Sequence, residues 1–217
     1  MIVGISGSPI ADGNTDRMVK AVLEQSGRDH IFVNLSTLRY DPCRACAHLC
    51  AATNLCPIED DLKPYFEPLM NAEALVLGTP IHAGNITGWM FGFTTRWSCF
   101  SHVRHPLKDK PVLLVMTGCF AGTEERAVSR FSQNVVEQSR GARIVGHIYH
   151  ASTIPPCYKC GKGNVCKVGG LWHIVGRDEE KLRAFKPTRD VFKHWEDCLE
   201  TVSQVKGYAK MLSALET

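Results

Sequence analysis

Five short apolar runs are spaced along the chain, each closed by glycine, proline or a small polar residue. Between them lie longer stretches in which apolar residues recur three or four apart. The runs at 2–6, 30–35, 74–79, 112–117 and 143–149 are predicted strands. Helices are predicted over 15–26, 60–70, 86–99 and 124–139; the first places Met18, Val19, Val22 and Leu23 on one face and stops at Gly27. This alternation is that of a parallel α/β sheet, with every crossover long enough for a right-handed βαβ unit. After Tyr149 the pattern changes. Residues 151–176 are rich in Gly, Pro, Cys and Lys without a period and read as an irregular insert. Beyond it Trp195, Leu199, Val202, Val205, Ala209, Leu212 and Leu215 trace a long amphipathic helix expected to begin near Pro187 and to pack on the same sheet. The expected division is therefore 1–150 as the main unit and 151–217 as a Cys-rich insert with a helical extension.

Composition sharpens this reading. The 217 residues are 44% hydrophobic and 22% charged, ordinary for a globular chain, and a net charge of +3 is too small to point to nucleic acid. No run reaches the roughly 18 apolar residues of a membrane span. No basic region precedes the first apolar run and no A-x-A-like cleavage site follows it, so a cytoplasmic location is expected. Ten cysteines are an unusual number, yet short of the roughly 8–10% of a disulfide scaffold. In a reducing compartment, clustered thiols point to metal or cluster ligation before disulfides.

The first strand–helix connection holds Ser6, Gly7, Ser8, Pro9, Gly13, Asn14 and Thr15. Hydroxyls, an amide and backbone N–H groups converge there on the positive end of a helix dipole, which suits an anion. Neither the P-loop spacing nor G-x-G-x-x-G is present, and without a lysine the loop suits a phosphate monoester held permanently. Loops 79–88 and 117–122 fall at the same carboxyl edge of the sheet, where open α/β sheets bind ligands; in a 2-1-3-4-5 strand order the switch point is an FMN site.

The run Ile5-Ser6-Gly7-Ser8-Pro9 with Gly13-Asn14-Thr15, then Gly78-Thr79-Pro80-Ile81-His82 and Arg96, resembles the flavodoxin-like NADPH-dependent FMN reductases over roughly residues 1–150. The resemblance implies a doubly wound, five-stranded parallel sheet of order 2-1-3-4-5. It implies that Ser8, Asn14 and Thr15, with Ser6 and Gly13 in the same loop, hold the FMN phosphate. Pro80, Ile81, His82, Ala83 and Asn85, with Thr117, Gly118 and Gly122, would line the isoalloxazine ring. His82 is the candidate catalytic group beside that ring, and NAD(P)H is a possible electron donor.

Cys43, Cys46, Cys50 and Cys56 form C-x2-C-x3-C-x5-C just after the second predicted strand, with Pro57, Glu59, Asp60 and Asp61 behind them. Four thiolates on one short loop suit an iron–sulfur cubane or zinc; the compact single run is the habit of iron–sulfur ligation. On an FMN-binding chain this run resembles the iron–sulfur flavoprotein family, which implies a [4Fe-4S] cluster on that loop. A second group, Cys157, Cys160 and Cys166, leaves a fourth place open for Cys119, Cys198, Cys99 or His173, as a second cluster or a zinc knuckle.

The resulting expectation is an oxidoreductase that couples a two-electron flavin to a one-electron cluster, serving a small-molecule or protein redox partner. The alternatives are an NAD(P)H-dependent flavin or quinone reductase with structural zinc, a non-catalytic flavodoxin-like carrier, and a thiol-based regulator. Family resemblance implies a homodimer or homotetramer. Trp89, Phe91, Phe93 and Trp97 read as core or subunit interface, the pair His102/His105 as exposed and not a metal site, and Lys108, Asp109 and Lys110 as a solvated turn.

Overall fold

The structure, a computed structural model, describes residues 1–122, 124–152, 161–186 and 193–215. Strands β1 (Ile2–Ser6), β2 (His30–Asn34), β3 (Ala74–Pro80), β4 (Pro111–Gly118) and β5 (Arg143–Ala151) form one sheet in the order β2-β1-β3-β4-β5. Every pairing is parallel. Because strand side chains alternate between faces, Val3, Ile5, Leu75, Leu77, Leu114 and Met116 build one core, and Ile2, Val76, Leu113, Val115 and Ile148 the other.

Helix α1 (Asn14–Gln25) covers the second core with Met18, Val19, Val22 and Leu23, all fully buried. A Cβ at Gly78 would lie 2.5 Å from a Val19 methyl, so the glycine lets α1 sit hard against β3. The first core is closed by α3 (Phe66–Asn71), α4 (Gly88–Thr95) and α5 (Glu125–Ser139) through Phe66, Leu69, Phe93, Phe131 and Val135. Each such large apolar side chain contributes about 2 kcal/mol by leaving water.

Several expected boundaries shift, each for a local reason. The helix expected over 60–70 is a 3-10 turn at Lys63–Tyr65 followed by α3, because Pro64 and Pro68 each lack an N–H and are tolerated only near a helix start. The helix expected over 86–99 starts at Gly88, capped by Thr87 Oγ1 on the Met90 N–H, and tightens to 3-10 over Arg96–Ser101. Within the described part of the insert, strand β5 runs on to Ala151 and α6 (Gly170–Ile174) is helical; α7 (Glu179–Ala184, capped by Asp178) follows it.

The last helix begins not near Pro187 but at Leu199. Pro187 itself lies outside the described residues, and α8 (Leu199–Ser213) follows a 3-10 turn at Trp195–Asp197 and an extended Cys198. The Lys193 N–H donates to Ser152 O, and its carbonyl accepts from Asn14 and His150, so this backbone is tied to the sheet and unavailable to a helix. Helix α8 then packs on its own sheet beside α1 through Val205, Ala209 and Leu212. Lys110 is not solvated. It is 9% exposed, and its ammonium donates to the carbonyls of Met70 and Ala72 at the end of α3; burial pulls its pKa down to about 8.

Candidate functional site

The loops after β1, β3 and β4 meet at the carboxyl edge of the sheet. In the first, Ser6 Oγ donates to Asp16 Oδ1 (2.5 Å) and accepts from the Ser8 N–H, while Ser8 Oγ accepts from Ile10 N and donates to Ile10 O. Thr15 Oγ1 lies 2.9 Å from Thr117 Oγ1, which joins this loop to β4. Gly13 caps α1 without a side-chain bond, so the N–H groups of Asn14, Thr15 and Asp16 open the helix without partners inside it. N–H groups so placed are the usual donors to an anion. The hydroxyls and the Asn14 amide shape the loop around them.

Asn14 does more than shape its own loop. Its Nδ2 donates to Lys193 O (2.9 Å), and its Oδ1 accepts from Arg17 Nη2 (2.7 Å) and from the Trp195 N–H (3.3 Å). His150 Nε2 lies 2.9 Å from the same Lys193 oxygen, and Arg17 pairs with Glu196. The extension therefore straps down the candidate phosphate loop. Asp16, which the sequence reading passed over, is 2% exposed and accepts from Ser6 Oγ, the Asp12 N–H and Asn34 Nδ2. An acid in the first turn of a helix was the available signal.

In the second loop Ile81 N donates to Thr117 O (2.7 Å), extending the β3–β4 pairing. His82 and Asn85 exchange backbone bonds across a two-residue turn in which Ala83 has φ 50° and Gly84 φ 73°, the left-handed pair of a type I′ turn. His82, Ala83, Gly84 and Asn85 are exposed at the mouth of the crevice. Thr87 Oγ1 donates to Gly7 O (2.8 Å) and so locks this loop to the first. In the third loop a Cβ at Gly118 would fall 2.3 Å from Tyr149 Oη; Tyr149 in turn donates to Phe120 O. Nothing lies within 4 Å of a Cβ built at Gly84, Gly88 or Gly122, so both ring-side loops open onto free space. A flat ring with a phosphate tail fits this arrangement.

The cysteine run wraps the far end of α4. The Cys43 N–H donates to Thr95 Oγ1, the Ala45 N–H to Cys43 Sγ (3.4 Å), and Arg96 Nε to Cys56 Sγ (3.0 Å). Cys46 caps the short α2 (Ala47–Cys50). Cys43 is exposed, Cys46 half-buried, and Cys50 and Cys56 are buried. Burial raises the Cys50 pKa, and the neighbouring Cys46, Cys56 and Cys43 raise it further, so the four thiols share one electrostatic environment.

Two residues not assigned to this run join it. Cys99, considered for the second group, is 2% exposed and has its pKa raised by burial and then by Cys56, Cys50 and Cys43. His102 Nε2 lies 3.3 Å from Cys50 Sγ. Asn54, 1% exposed, binds this segment through Nδ2 to the Cys99 and Arg104 carbonyls and through Oδ1 from the Val103 and Arg104 N–H groups. Of the second cysteine group, Cys157 and Cys160 lie outside the described residues, and among the described residues Cys166, Cys119, Cys198 and His173 form no group of three ligands. Among the described residues no three Cys, His, Asp or Glu side chains close to the spacing of ligands on one ion. Four cysteines on one loop, two of whose sulfurs already accept N–H bonds, are by their chemistry the donor set that a cluster takes.

The sequence profile of the NADPH-dependent FMN reductase family matches residues 1–153. An iron-sulfur flavoprotein of Archaeoglobus fulgidus is 32% identical over 215 residues, 98% of this chain and 94% of its own length. The chain belongs to the iron-sulfur flavoprotein family, within the NADPH-dependent FMN reductases. It is accordingly a flavin-dependent oxidoreductase. Another relative, an iron-sulfur flavoprotein of Methanocaldococcus jannaschii, is also 32% identical, over 89 residues that make up 40% of this chain and 46% of that protein's length.

Among solved structures, an NADH:FMN oxidoreductase superposes with a TM-score of 0.59 at 16% identity, covering 100% of this chain and 90% of that one. An NAD(P)H:quinone oxidoreductase from Methanothermobacter marburgensis superposes with a TM-score of 0.56 at 10% identity, covering 100% and 98%. These likenesses carry the flavodoxin-like fold. Among the described residues no helix is long and apolar enough to cross a membrane.

Proposed function

We propose that the chain passes electrons between a two-electron donor or acceptor and one-electron partners, using FMN at the carboxyl edge of the sheet and a [4Fe-4S] cluster on the loop 43–56. Bound there, the flavin would supply two-electron chemistry and the cluster one-electron steps. The chain's own residues bind and orient. The N–H groups of Asn14, Thr15 and Asp16 would hold the phosphate, with Ser6, Ser8, Gly13 and Thr15 shaping their loop. Pro80, Ile81, Ala83, Asn85, Thr117, Gly118 and Gly122 would face the ring, and exposed His82 would stand at the donor side, where NAD(P)H is the natural hydride source. Cys43, Cys46, Cys50 and Cys56 would hold the cluster.

The observation that carries this reading is α4. Its N-terminal cap binds Gly7 O in the first loop, and its C-terminal end binds Cys43 and Cys56. The eight residues of α4 rise about 12 Å, so this one rigid element would hold both candidate sites within electron-transfer range. The same helix leaves Trp89 and Phe91 exposed along an open groove of about 530 Å³ with Leu38, Tyr40 and Pro42, a surface suited to a second copy of the chain.

The substitution Cys46→Ser tests the assignment. Purified without air, it is expected to lose iron and the broad absorbance of the cluster while retaining FMN; full iron in the variant would overturn the ligand set. One observation favours a second reading, a reductase with structural zinc. The 3.3 Å between Cys50 Sγ and His102 Nε2 matches two ligands on one tetrahedral zinc ion, about 3.5 Å apart. Zinc in place of iron in the wild-type protein would decide for it.

A further inference from the structure

Arg96 carries a positive charge into the wall of the thiol loop. Its side chain is 0% exposed, and Asp60 opposite it is 10% exposed. Nη1 donates to Asp60 Oδ2 (2.6 Å) and to Asp41 O (2.8 Å), Nη2 reaches Asp60 Oδ1 (3.5 Å), and the Phe66 ring lies 5.4 Å from Cζ. Asp41 precedes the cysteine run and Asp60 follows it, so the guanidinium is held from both sides of the loop. Those contacts alone would satisfy a structural arginine. Nε donates to Cys56 Sγ from 3.0 Å. Sulfur is a weak acceptor as a thiol and a strong one when it carries the charge of a thiolate or a cluster ligand.

We propose that Arg96 is a positioning residue that sets the reduction potential of the cluster through its hydrogen bond to Cys56 Sγ, with Asp60 and Asp41 holding the guanidinium in place. The inference rests on the cluster reading above. One-electron reduction adds one negative charge to the cluster and its ligands; arginine, protonated throughout, neither gives nor takes a proton. A buried N–H donor and cation beside one ligand sulfur stabilise the more negative, reduced form and raise the potential. Asp60 offsets part of the charge from the far side of the guanidinium, while the Nε–H dipole acts directly on the sulfur. Cys50 has the His102 imidazole as its neighbour and Cys43 a backbone N–H, so Cys56 is the ligand that a fixed cation singles out.

The test uses the anaerobically purified holoprotein and three variants: Arg96→Lys, Arg96→Gln, and the double substitution R96Q/D60N, which leaves no unpaired buried carboxylate. Iron and FMN content are measured, and the cluster midpoint is read by mediated redox titration with dithionite as reductant, followed by electron paramagnetic resonance. Both Gln-containing proteins are expected to shift to lower potential, and Arg96→Lys by less. The surface control Lys63→Gln, which removes an exposed charge paired with Glu59, is expected to leave the midpoint unmoved. Variants that load iron and FMN normally and titrate with the wild-type midpoint would overturn the proposal. So would loss of iron from all three with FMN retained, because Arg96 would then be a clamp alone. A wild-type protein without iron would instead remove the cluster reading, a separate failure.

Discussion

Asn54 shows how much one side chain does for the candidate metal loop. Its amide makes four hydrogen bonds to the backbone at Cys99, Val103 and Arg104 while buried at φ 57°, a left-handed conformation that asparagine tolerates better than alanine. Asn54→Ala leaves those backbone groups unpaired, and about 3 kcal/mol of stability is expected to go with it. Urea denaturation at neutral pH reads the loss; less than about 1 kcal/mol would show that the segment does not depend on this amide. None of this was legible in the sequence. The partners lie 45 to 50 residues away, and an asparagine in a loop has no local signature that distinguishes a pin from a solvated turn. For the same reason Cys99 was offered only to the second cysteine group and His102 was set aside as exposed, neither beside Cys50, whereas Cys43, Cys46, Cys50 and Cys56 could be grouped because their chemistry and their spacing sit together in one stretch of chain. Lys110 was misread because a lysine in a polar triplet looks solvated until the carbonyl end of α3 is placed against it.

At the scale of elements, periodicity located all five strands and most helices, and failed where backbone groups are claimed by distant partners. The hydrophobic repeat through Trp195 and Leu199 is real in the sequence. Lys193 and Trp195 are nonetheless fixed by Asn14, His150 and Ser152, so the helix waits until Leu199. This strap is sensitive to acid. Burial holds the His150 pKa below its ordinary 6.5, against the raising effect of the Lys193 carbonyl and of Glu196 and with the lowering effect of Lys193 and Arg17. With the folded pKa depressed, the unfolded chain takes up the proton first as pH falls. The stability that neutral His150 provides is thus complete above 6.5 and is lost as pH drops from there through the folded value. In His150→Gln, which removes the titrating group, the difference in stability between pH 7.5 and pH 5 is expected to be smaller than in the wild type. Equal differences in paired denaturation curves would place the acid sensitivity elsewhere.

The whole molecule is a doubly wound sheet whose carboxyl edge presents three candidate ligand loops, with a thiol loop a helix length away and a C-terminal extension strapped over the first loop. Five apolar runs separated by helical crossovers made the parallel α/β sheet legible, while the strand order came from the resemblance to the FMN reductases. What the sequence did not show is the coupling between parts. Helix α4 ties the first loop to the cysteines, and Asn14 ties that loop to the extension. Both cofactors must share one chain for the proposed electron transfer. Its most direct test is the iron, zinc, acid-labile sulfide and FMN content of the protein purified without air. About four irons with matching sulfide and one FMN per chain are predicted; zinc without iron, or a chain that takes up no FMN, would contradict it.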